Sequence, residues 1–254
     1  MTVRADPVEE TRRIIVAANE VGLTVRAVGG VAVALIAPTV GRLEPRRTYH
    51  DIDLVAQAGA ARAIGRVLAG IGYEAAREFN ALNGSERLLF HDADGRHVDV
   101  FIDTLRMCHE LPFHDRIAMD GWPLTLAPAD LLLSKLQIVE QTDRDAQDVM
   151  ALLADHQLSE TDRDGLGLPR LRQVLGNDWG WWRTADDNLA RLMARWAEPA
   201  ISAEPAPVGV RSIANDRART LRAALAACPK SVAWRLRSAV GPRLRWYELP
   251  EEVR

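Results

Sequence analysis

The segment RTYHDIDLV, residues 47–55, alternates acidic and aliphatic side chains from Asp51 to Leu54. Such alternation is typical of a β-strand with one wet face. Because side chains two residues apart leave a strand on the same side, Asp51 and Asp53 are expected to share a face. Adjacent carboxylates repel unless a cation lies between them, and a divalent cation fills that role. The alternative is an exposed strand end with two solvated aspartates, which so short a motif leaves open.

A third acid lies on a strand predicted at His97–Asp103, where Asp99 stands between two valines. Asp94-Gly95 is a strong tight-turn signal, so this strand should pair antiparallel with a strand at Arg87–His91. An acid between buried aliphatic residues is expected to be exposed or bound to a positive group. Three aspartates on neighbouring strands predict a two-metal site for phosphoryl transfer. Asp103 is the main competitor of Asp99 for the third position.

Upstream, a helix is predicted at residues 8–21, followed by a strand at Val25–Val28 that runs into Gly29-Gly30 and a buried helix. Glycines at such a junction let the backbone approach a ligand closely, and helix N–H groups there suit phosphate. A simple tight turn is the other interpretation of the glycine pair.

Downstream, a helix is predicted at Ala58–Gly70 and a strand at Tyr73–Phe79, and from Asp130 on the pattern is mainly helical. Residues 199–207 have the composition of a linker. The predicted fold class is α+β, a small mixed-sheet core with flanking helices followed by a mainly helical C-terminal part. We place the domain boundary between 1–127 and 128–254, the second domain including a basic tail at 211–247.

Composition excludes several classes of protein. The chain has 254 residues, 48% of them hydrophobic, and a formal charge of -3, which argues against global disorder. Two cysteines, Cys108 and Cys228, do not form a disulfide framework, and Cys108 with His109 and His114 matches no standard zinc module. The N-terminal segment lacks the apolar run of a signal peptide, and no apolar stretch is long enough to span a bilayer. We therefore expect a cytoplasmic protein without a membrane partner.

Lysine is rare in this chain: Lys135 and Lys230 are the only lysines among 32 basic residues. Lys135 falls in a strongly apolar predicted helix. It could extend along the outer face to reach water, or it could enter a cleft as a point-charge phosphate ligand. Arg144, Asp145 and Asp148 further along could form no more than a solvated helix face with a local ion pair.

Several segments together resemble a known family. AVGGVAV (27–33), RTYHDIDLV (47–55), RLLF (87–90) and HVDVF (97–101) are similar, in this order, to the motifs of polymerase-β-like nucleotidyltransferases. LTLAPADLLLSKLQ (124–137) and DRDAQDV (143–149) resemble the AbiEii/AbiGii-type branch, which includes the MenT-like toxins of toxin–antitoxin pairs.

The resemblance implies a Mg²⁺-dependent enzyme, with Mn²⁺ as a possible substitute, that moves a nucleoside monophosphate from an NTP to an acceptor hydroxyl. The acceptor implied first is the end of an RNA, in particular tRNA, and an antitoxin would be a protein partner. An antibiotic or a protein are the other acceptors, and a non-catalytic nucleotide- or partner-binding relative is the second class of function.

The same resemblance assigns roles residue by residue. Asp51 and Asp53 would be metal ligands, and Asp99 the third ligand or general base. Many relatives have serine after the first glycine, and here Gly30 stands in that position. The implied nucleotide contacts are Gly29, Gly30, Arg47, Thr48, Lys135, which would touch the triphosphate, and Asp148, which would lie near Lys135 or the nucleotide.

The basic tail offers a possible RNA surface. Residues 211–247 contain nine basic side chains and one acid, Asp216, with Trp234, Trp246 and Tyr247 among them. Basic side chains with aromatic faces suit phosphates and unstacked bases. The alternative is a helical cap whose tryptophans are packed and whose arginines are solvated or paired.

Overall fold

A computed structural model describes residues 3–197 and 208–249 of the chain, which form two compact units. The first unit comprises Met1–Ile36, Thr48–Leu105 and Leu111–Leu126. The second comprises Ala37–Arg47, Arg106–Glu110 and Ala127–Arg254. The linker predicted at residues 199–207 lies outside the described residues.

The first unit is built on a five-stranded mixed sheet in the order β1-β2-β5-β4-β3. The β2–β5 pair is parallel and the others are antiparallel. The strands are β1 Val25–Val28, β2 Ile52–Ala56, β3 Glu74–Ala75, β4 Arg87–His91 and β5 His97–Ile102. The helices are α1 Pro7–Glu20, α2 Gly29–Ile36, α3 Ala61–Gly70 and α4 Arg77–Asn83.

Alternation along the two central strands explains the core of this unit. The β2–β5 register pairs Ile52 with Val98 and Leu54 with Val100, and all four side chains are buried. Side chains of the intervening residues leave the opposite face of the sheet. The predicted hairpin is confirmed: β4 and β5 pair antiparallel across a turn in which Gly95 adopts φ +83°.

The strand predicted at Tyr73–Phe79 forms only at Glu74–Ala75, and the prediction is wrong beyond that point. After the two-residue β3 the chain continues as α4. The side-chain amide of Asn80 then hydrogen-bonds to the edge of β4. Its Oδ1 accepts from the Leu89 N–H at 2.7 Å, and its Nδ2 donates to the Leu89 carbonyl at 3.0 Å. A side chain therefore satisfies backbone groups that a longer β3 would have paired, and the helix formers Ala, Arg and Glu in this segment favour α4.

The second unit is mainly helical. Its helices are α5 Pro128–Leu136, α6 Asp143–Asp155, α7 Leu168–Asn177, α8 Trp179–Ala197, α9 Val208–Ala227 and α10 Val232–Val240, with short 3₁₀ helices at Pro38–Arg42 and Gly241–Arg243. Besides these helices, the chain contains two small two-stranded sheets. They are β6 Thr104–Arg106 with β7 Glu110–Pro112, and β8 Leu158–Ser159 with β9 Leu166–Gly167. The predicted fold class, a mixed sheet with flanking helices followed by a helical part, is confirmed. In the described ranges no helix combines the length and apolarity needed to cross a membrane.

Candidate functional site

Two of the three predicted aspartates lie side by side in the first unit. The parallel register of β2 and β5 makes Asp53 and Asp99 direct neighbours. Asp99 is only 7% exposed, whereas Asp53 is half-buried. Because the flanking pairs Ile52–Val98 and Leu54–Val100 fill the core face, both carboxylates leave the sheet on the other face. Strand register thus brings two negative groups together at one place.

Gly29 lies directly against Asp53 of this pair. The β1–β2 register places Val28 opposite Asp53, so the next residue begins α2 beside the aspartate. Gly29 has φ +73°, and a Cβ built on it would collide with the Asp53 carboxylate. Only glycine therefore allows this approach without strain. The start of α2, including Gly30, adjoins the carboxylate face, where helix N–H groups suit an anionic ligand.

Asp51 does not join the pair in a compact cluster. It is exposed and lies one residue before β2 begins. Within residues 3–197 and 208–249, no three His, Cys, Asp or Glu side chains are arranged as a ready metal-binding group. The donor chemistry nevertheless fits a hard divalent cation, because Asp53 and Asp99 offer carboxylate oxygens from adjacent strand positions. Asp51, two residues before Asp53, is the other carboxylate of the same segment.

Arg87 is the partner of Asp99 that the sequence analysis missed. Its Nε donates to Asp99 Oδ1 at 2.7 Å, and its guanidinium lies 5.6 and 5.5 Å from the ring centroids of Phe79 and Phe101. This confirms that Asp99 is bound to a positive group. The hairpin register was the available signal: pairing across Asp94-Gly95 puts Arg87 and Asp99 on one face, two positions apart.

Asp103, the competitor, has already left the strand. β5 ends at Ile102, and Asp103 adopts a left-handed backbone with φ 56°. Its carboxylate lies 3.8 Å from His114 Nδ1. The register with β2 therefore favours Asp99 as the third acid.

A second group of predicted residues meets inside the second unit. Lys135 Nζ lies 3.0 Å from Asp145 Oδ1 and 2.9 Å from Asp148 Oδ2, and Arg47 Nη2 lies 3.3 Å from the same Asp148 oxygen. We call Arg47, Lys135, Asp145 and Asp148 the buried charge cluster. Lys135 and Asp145 have side chains 12% exposed, and that of Asp148 is fully buried. Lys135 does not reach for water along an outer face, and the solvated helix face proposed for Asp145 and Asp148 is wrong.

The local sequence explains how the cluster forms. Thr142 caps α6 in a capping box, in which Asp145 returns its carboxylate to the Thr142 N–H and hydroxyl. Asp145 thus serves the helix end and Lys135 together. Although burial opposes the charged form, Asp148 and Asp145 keep the pKa of Lys135 above its ordinary value. Burial likewise opposes ionisation of Asp145, but Lys135 and Thr142 hold the pKa of Asp145 below its ordinary value.

The Arg47-Thr48 pair divides between the two units. Arg47 belongs to the second unit and bonds to Asp148, whereas Thr48 begins a segment of the first unit. Thr48 is exposed, and its hydroxyl lies 3.4 Å from His50 Nε2. Among the residues implied to touch a nucleotide, the structure joins Arg47, Lys135 and Asp148 in one group and Gly29 with Asp53 in another.

Several basic side chains of the tail form hydrogen bonds or ion pairs within the second unit. Arg222 bonds to Asp186 on α8, and Arg217 donates to the carbonyls of Leu153 and Ala154. The aromatic side chains are also packed: Trp234 lies 5.3 Å from Trp182, Trp246 lies 5.7 Å from Trp179, and Trp246 Nε1 donates to Thr184 at 3.0 Å. The tail's tryptophans therefore pack within the second unit, as the helical-cap alternative expects, and an RNA surface on the tail stays a prediction.

His109 has a structural explanation as well. Its ring stacks on Trp181 at 4.9 Å, and Nε2 lies 2.8 Å from the Thr184 hydroxyl. Burial lowers the pKa of His109 to about 4, so the ring is neutral near pH 7. Its neighbour Cys108 is buried.

No protein-family model and no curated protein sequence matches this chain. Among solved structures, the crystal structure of ANT(2″)-Ia in complex with adenylyl-2″-tobramycin is similar to it, with a TM-score of 0.37 and 12% sequence identity. The similarity covers 75% of this chain and 98% of that chain. A likeness at this level assigns no activity, so function must rest on the geometry of the site.

Proposed function

We propose that the chain is a nucleotidyltransferase that moves a nucleoside monophosphate from an NTP to an acceptor hydroxyl and releases pyrophosphate. The observation that carries this proposal is the β2–β5 register, which places Asp53 beside Asp99, with Gly29 against Asp53. Carboxylates next to a helix start suit a reaction in which a cation and a polyphosphate meet.

Three aspartates would hold Mg²⁺, with Mn²⁺ as a substitute: Asp53 and Asp99 from adjacent strands, and Asp51 from the residue before β2. When bound, a divalent cation supplies charge neutralisation for the triphosphate and for the oxygen that attacks. Gly29 and Gly30 would let the phosphates approach the N–H groups of α2. The missing serine hydroxyl at position 30 leaves this contact to the backbone.

The bond changes follow from the products. The acceptor oxygen attacks the α-phosphorus of the NTP and forms a new phosphoester bond, while the bond between the α-phosphorus and the bridging oxygen breaks. Pyrophosphate carries away the electron pair of that bond. Asp99 is the proposed proton acceptor for the attacking hydroxyl, because its carboxylate lies beside Asp53 on the face of the sheet where the reaction is proposed.

A role in nucleotide binding is also proposed for residues of the buried charge cluster. Lys135 is proposed to contact the triphosphate, and Asp148 to orient Lys135. Arg47 and Thr48, which precede the aspartate segment in the sequence, are proposed to contact the nucleotide. The contacts to Asp145 and Asp148 hold Lys135 in one position. A fixed ammonium suits recognition of a phosphate as a point charge.

The proposed acceptor is the end of an RNA, tRNA in particular, with the chain acting as the toxin of a toxin–antitoxin pair in the cytoplasm. This part of the proposal rests on the AbiEii-type motifs and not on the basic tail.

An antibiotic hydroxyl is the second candidate acceptor. The packing of Trp234 and Trp246 favours it over an RNA acceptor that is held by the tail.

Labelled substrates test the proposal directly. Full-length protein is incubated with each α-³²P-labelled NTP, Mg²⁺ or Mn²⁺, and in parallel total RNA, an aminoglycoside mixture or cellular protein. We expect label on one acceptor class, most strongly on tRNA, and its loss in the Asp99→Asn variant. Asp94→Asn, which changes an exposed acid in the β4–β5 turn, is the matched control. Absence of labelled product with every NTP and acceptor would overturn the proposal.

A further inference from the structure

Exposed aliphatic side chains concentrate near the end of the described chain. Among residues 3–197 and 208–249, nine large hydrophobic side chains are exposed, and five of them lie after residue 231. They are Val232 (71% exposed), Leu236 (68%), Val240 (37%), Leu244 (63%) and Leu249 (48%). Isolated exposed aliphatic residues are normal on a protein surface, whereas a cluster marks an interaction site.

Three of these residues form a stripe along α10. Val232, Leu236 and Val240 are four residues apart, so they lie along one side of a helix with about 3.6 residues per turn. We call these three residues the α10 stripe. The opposite side of α10 packs on α8: Trp234 lies 5.3 Å from Trp182, and Arg237 lies 4.6 Å from the Trp179 ring. α10 is therefore anchored by its aromatic side and presents its aliphatic side outward.

The surroundings of the stripe are positively charged. The sequence contains no acidic residue between Asp216 and Glu248, and Arg235 and Arg243 are exposed. On the supporting helix α8, Asp186 bonds to Arg222 and Asp187 to Arg183. Both carboxylates of that helix thus already have cationic partners.

We propose that the α10 stripe is a docking surface for an acidic amphipathic helix of a protein partner. Aliphatic side chains of that helix would cover Val232, Leu236 and Val240, and its carboxylates would face Arg235 and Arg243. Apolar anchors at helical spacing with complementary charges beside them are the usual elements of helix recognition. The nine-residue α10 is about 13 Å long at 1.5 Å per residue, which matches two to three turns of a partner helix.

Charge and side-chain type favour a protein helix over the other occupants. In a twofold contact with a second copy, the same patch meets itself, so the arginines beside the stripe would oppose one another. An interfacial tryptophan would favour a lipid surface, and the tryptophan of α10 faces α8 instead. Single-stranded RNA needs rings for stacking, which three aliphatic side chains do not provide. The docking proposal does not depend on the catalytic one.

Two synthetic helical peptides with the same leucine pattern test the surface, one flanked by glutamates and one by lysines. Binding of each to the full-length protein is followed by fluorescence anisotropy at low and high salt. We expect the glutamate peptide to bind at least about tenfold more tightly than the lysine peptide, with an advantage that shrinks in salt. Leu236→Ser should weaken that binding by about tenfold, because it removes the central apolar contact. Leu82→Ser, at an 84% exposed leucine of the first unit, is the matched control and should leave binding unchanged.

The melting temperature of Leu236→Ser should equal that of the wild type, because the side chain is exposed. Equal binding of the two peptides, no binding of either, or unchanged binding by Leu236→Ser would overturn the proposal. Two further results would assign the stripe to another occupant and also overturn it. One is binding to phosphatidylserine vesicles that Leu236→Ser abolishes, and the other is self-association of the wild type that the same variant abolishes.

Discussion

The Asp53–Asp99 strand pair and the buried charge cluster both gather acidic residues, yet they differ in what surrounds the acids. In the strand pair, two carboxylates stand in register: Asp53 is half-buried, and Asp99 is 7% exposed with one oxygen bonded to Arg87. In the cluster, the carboxylates alternate with Lys135 and Arg47, and Asp148 is sealed from solvent. Neighbouring carboxylates on one face of a sheet suit a ligand cation, whereas opposite charges sealed together hold helices in place.

The largest expected effect is on turnover in the strand pair. Asp53→Ala should reduce nucleotidyl transfer by at least about a thousandfold, because it removes a proposed ligand from the centre of the site. The metal-free variant should lose little stability, since removing one of two neighbouring carboxylates relieves their repulsion. Initial rates with the labelled NTP and thermal melting without metal check both parts. Activity close to that of the wild type would remove Asp53 from the site.

The next largest effect should be on stability in the buried charge cluster. Lys135→Met should lower the free energy of unfolding by about 3–5 kcal/mol, because it leaves Asp145 and Asp148 buried without their ammonium partner. Denaturant unfolding measures this loss. Adding Asp148→Asn to Lys135→Met should recover part of it, because the buried charge left behind is then removed. A loss below about 1 kcal/mol in the single variant would mean that the cluster is not a stability element.

Lys135→Arg separates stability from a phosphate contact. The substitution keeps the positive charge, but the larger planar guanidinium does not fit the space of an ammonium between two carboxylates. We expect a moderate loss of stability together with a rise in KM for the NTP. Unchanged kcat and KM would confine Lys135 to its structural role.

A smaller effect is expected at Gly29, where two positive-φ glycines give a matched comparison. Gly29→Ala should cost about 1–2 kcal/mol for the left-handed backbone and more for the collision with Asp53. Gly95→Ala has a similar φ of +83° but nothing within 4 Å of its added Cβ, so it should cost the backbone strain alone. Denaturant unfolding of both variants checks the difference, and equal losses would show that Asp53 does not lie against Gly29.

The smallest effect is expected at Arg87. Arg87→Met should destabilise the metal-free protein by about 1 kcal/mol, because the ion pair with Asp99 is partly exposed. It should also raise the affinity for Mn²⁺ severalfold, since the guanidinium no longer competes for Asp99. Arg66→Met, at an exposed arginine of α3, is the control. A fall in Mn²⁺ affinity would mean that Arg87 supports the cation site.

The parts of the fold that the sequence predicts are those governed by local pattern. Alternation at 51–55, the Asp94-Gly95 turn and the apolar spacing of the helices depend on neighbours along the chain, and these elements were predicted. α4 was missed because Asn80 pairs with Leu89, a contact that exists only after β4 is in place. The tail was interpreted through its composition, while the packing of Trp234 on Trp182 depends on the position of α8.

The same distinction between local pattern and tertiary contacts applies to the candidate site. Periodicity along each strand placed Asp53 and Asp99 on wet faces, but their direct pairing depends on a parallel register that no local pattern specifies. Lys135 was recognised as unusual because lysine is rare here, and its two carboxylate partners follow from the packing of α5 on α6. Residue type predicted which side chains matter, and tertiary contacts decided what each of them touches.

Titration of Mn²⁺ into the purified protein tests the central claim most directly, with bound ion measured by electron paramagnetic resonance. We expect saturable binding in the wild type that falls by at least about tenfold in Asp53→Asn and in Asp99→Asn, and that persists in Asp145→Asn. This result would place the cation on the strand pair and not on the buried charge cluster. Binding that survives both strand variants but is lost in Asp145→Asn would contradict the account.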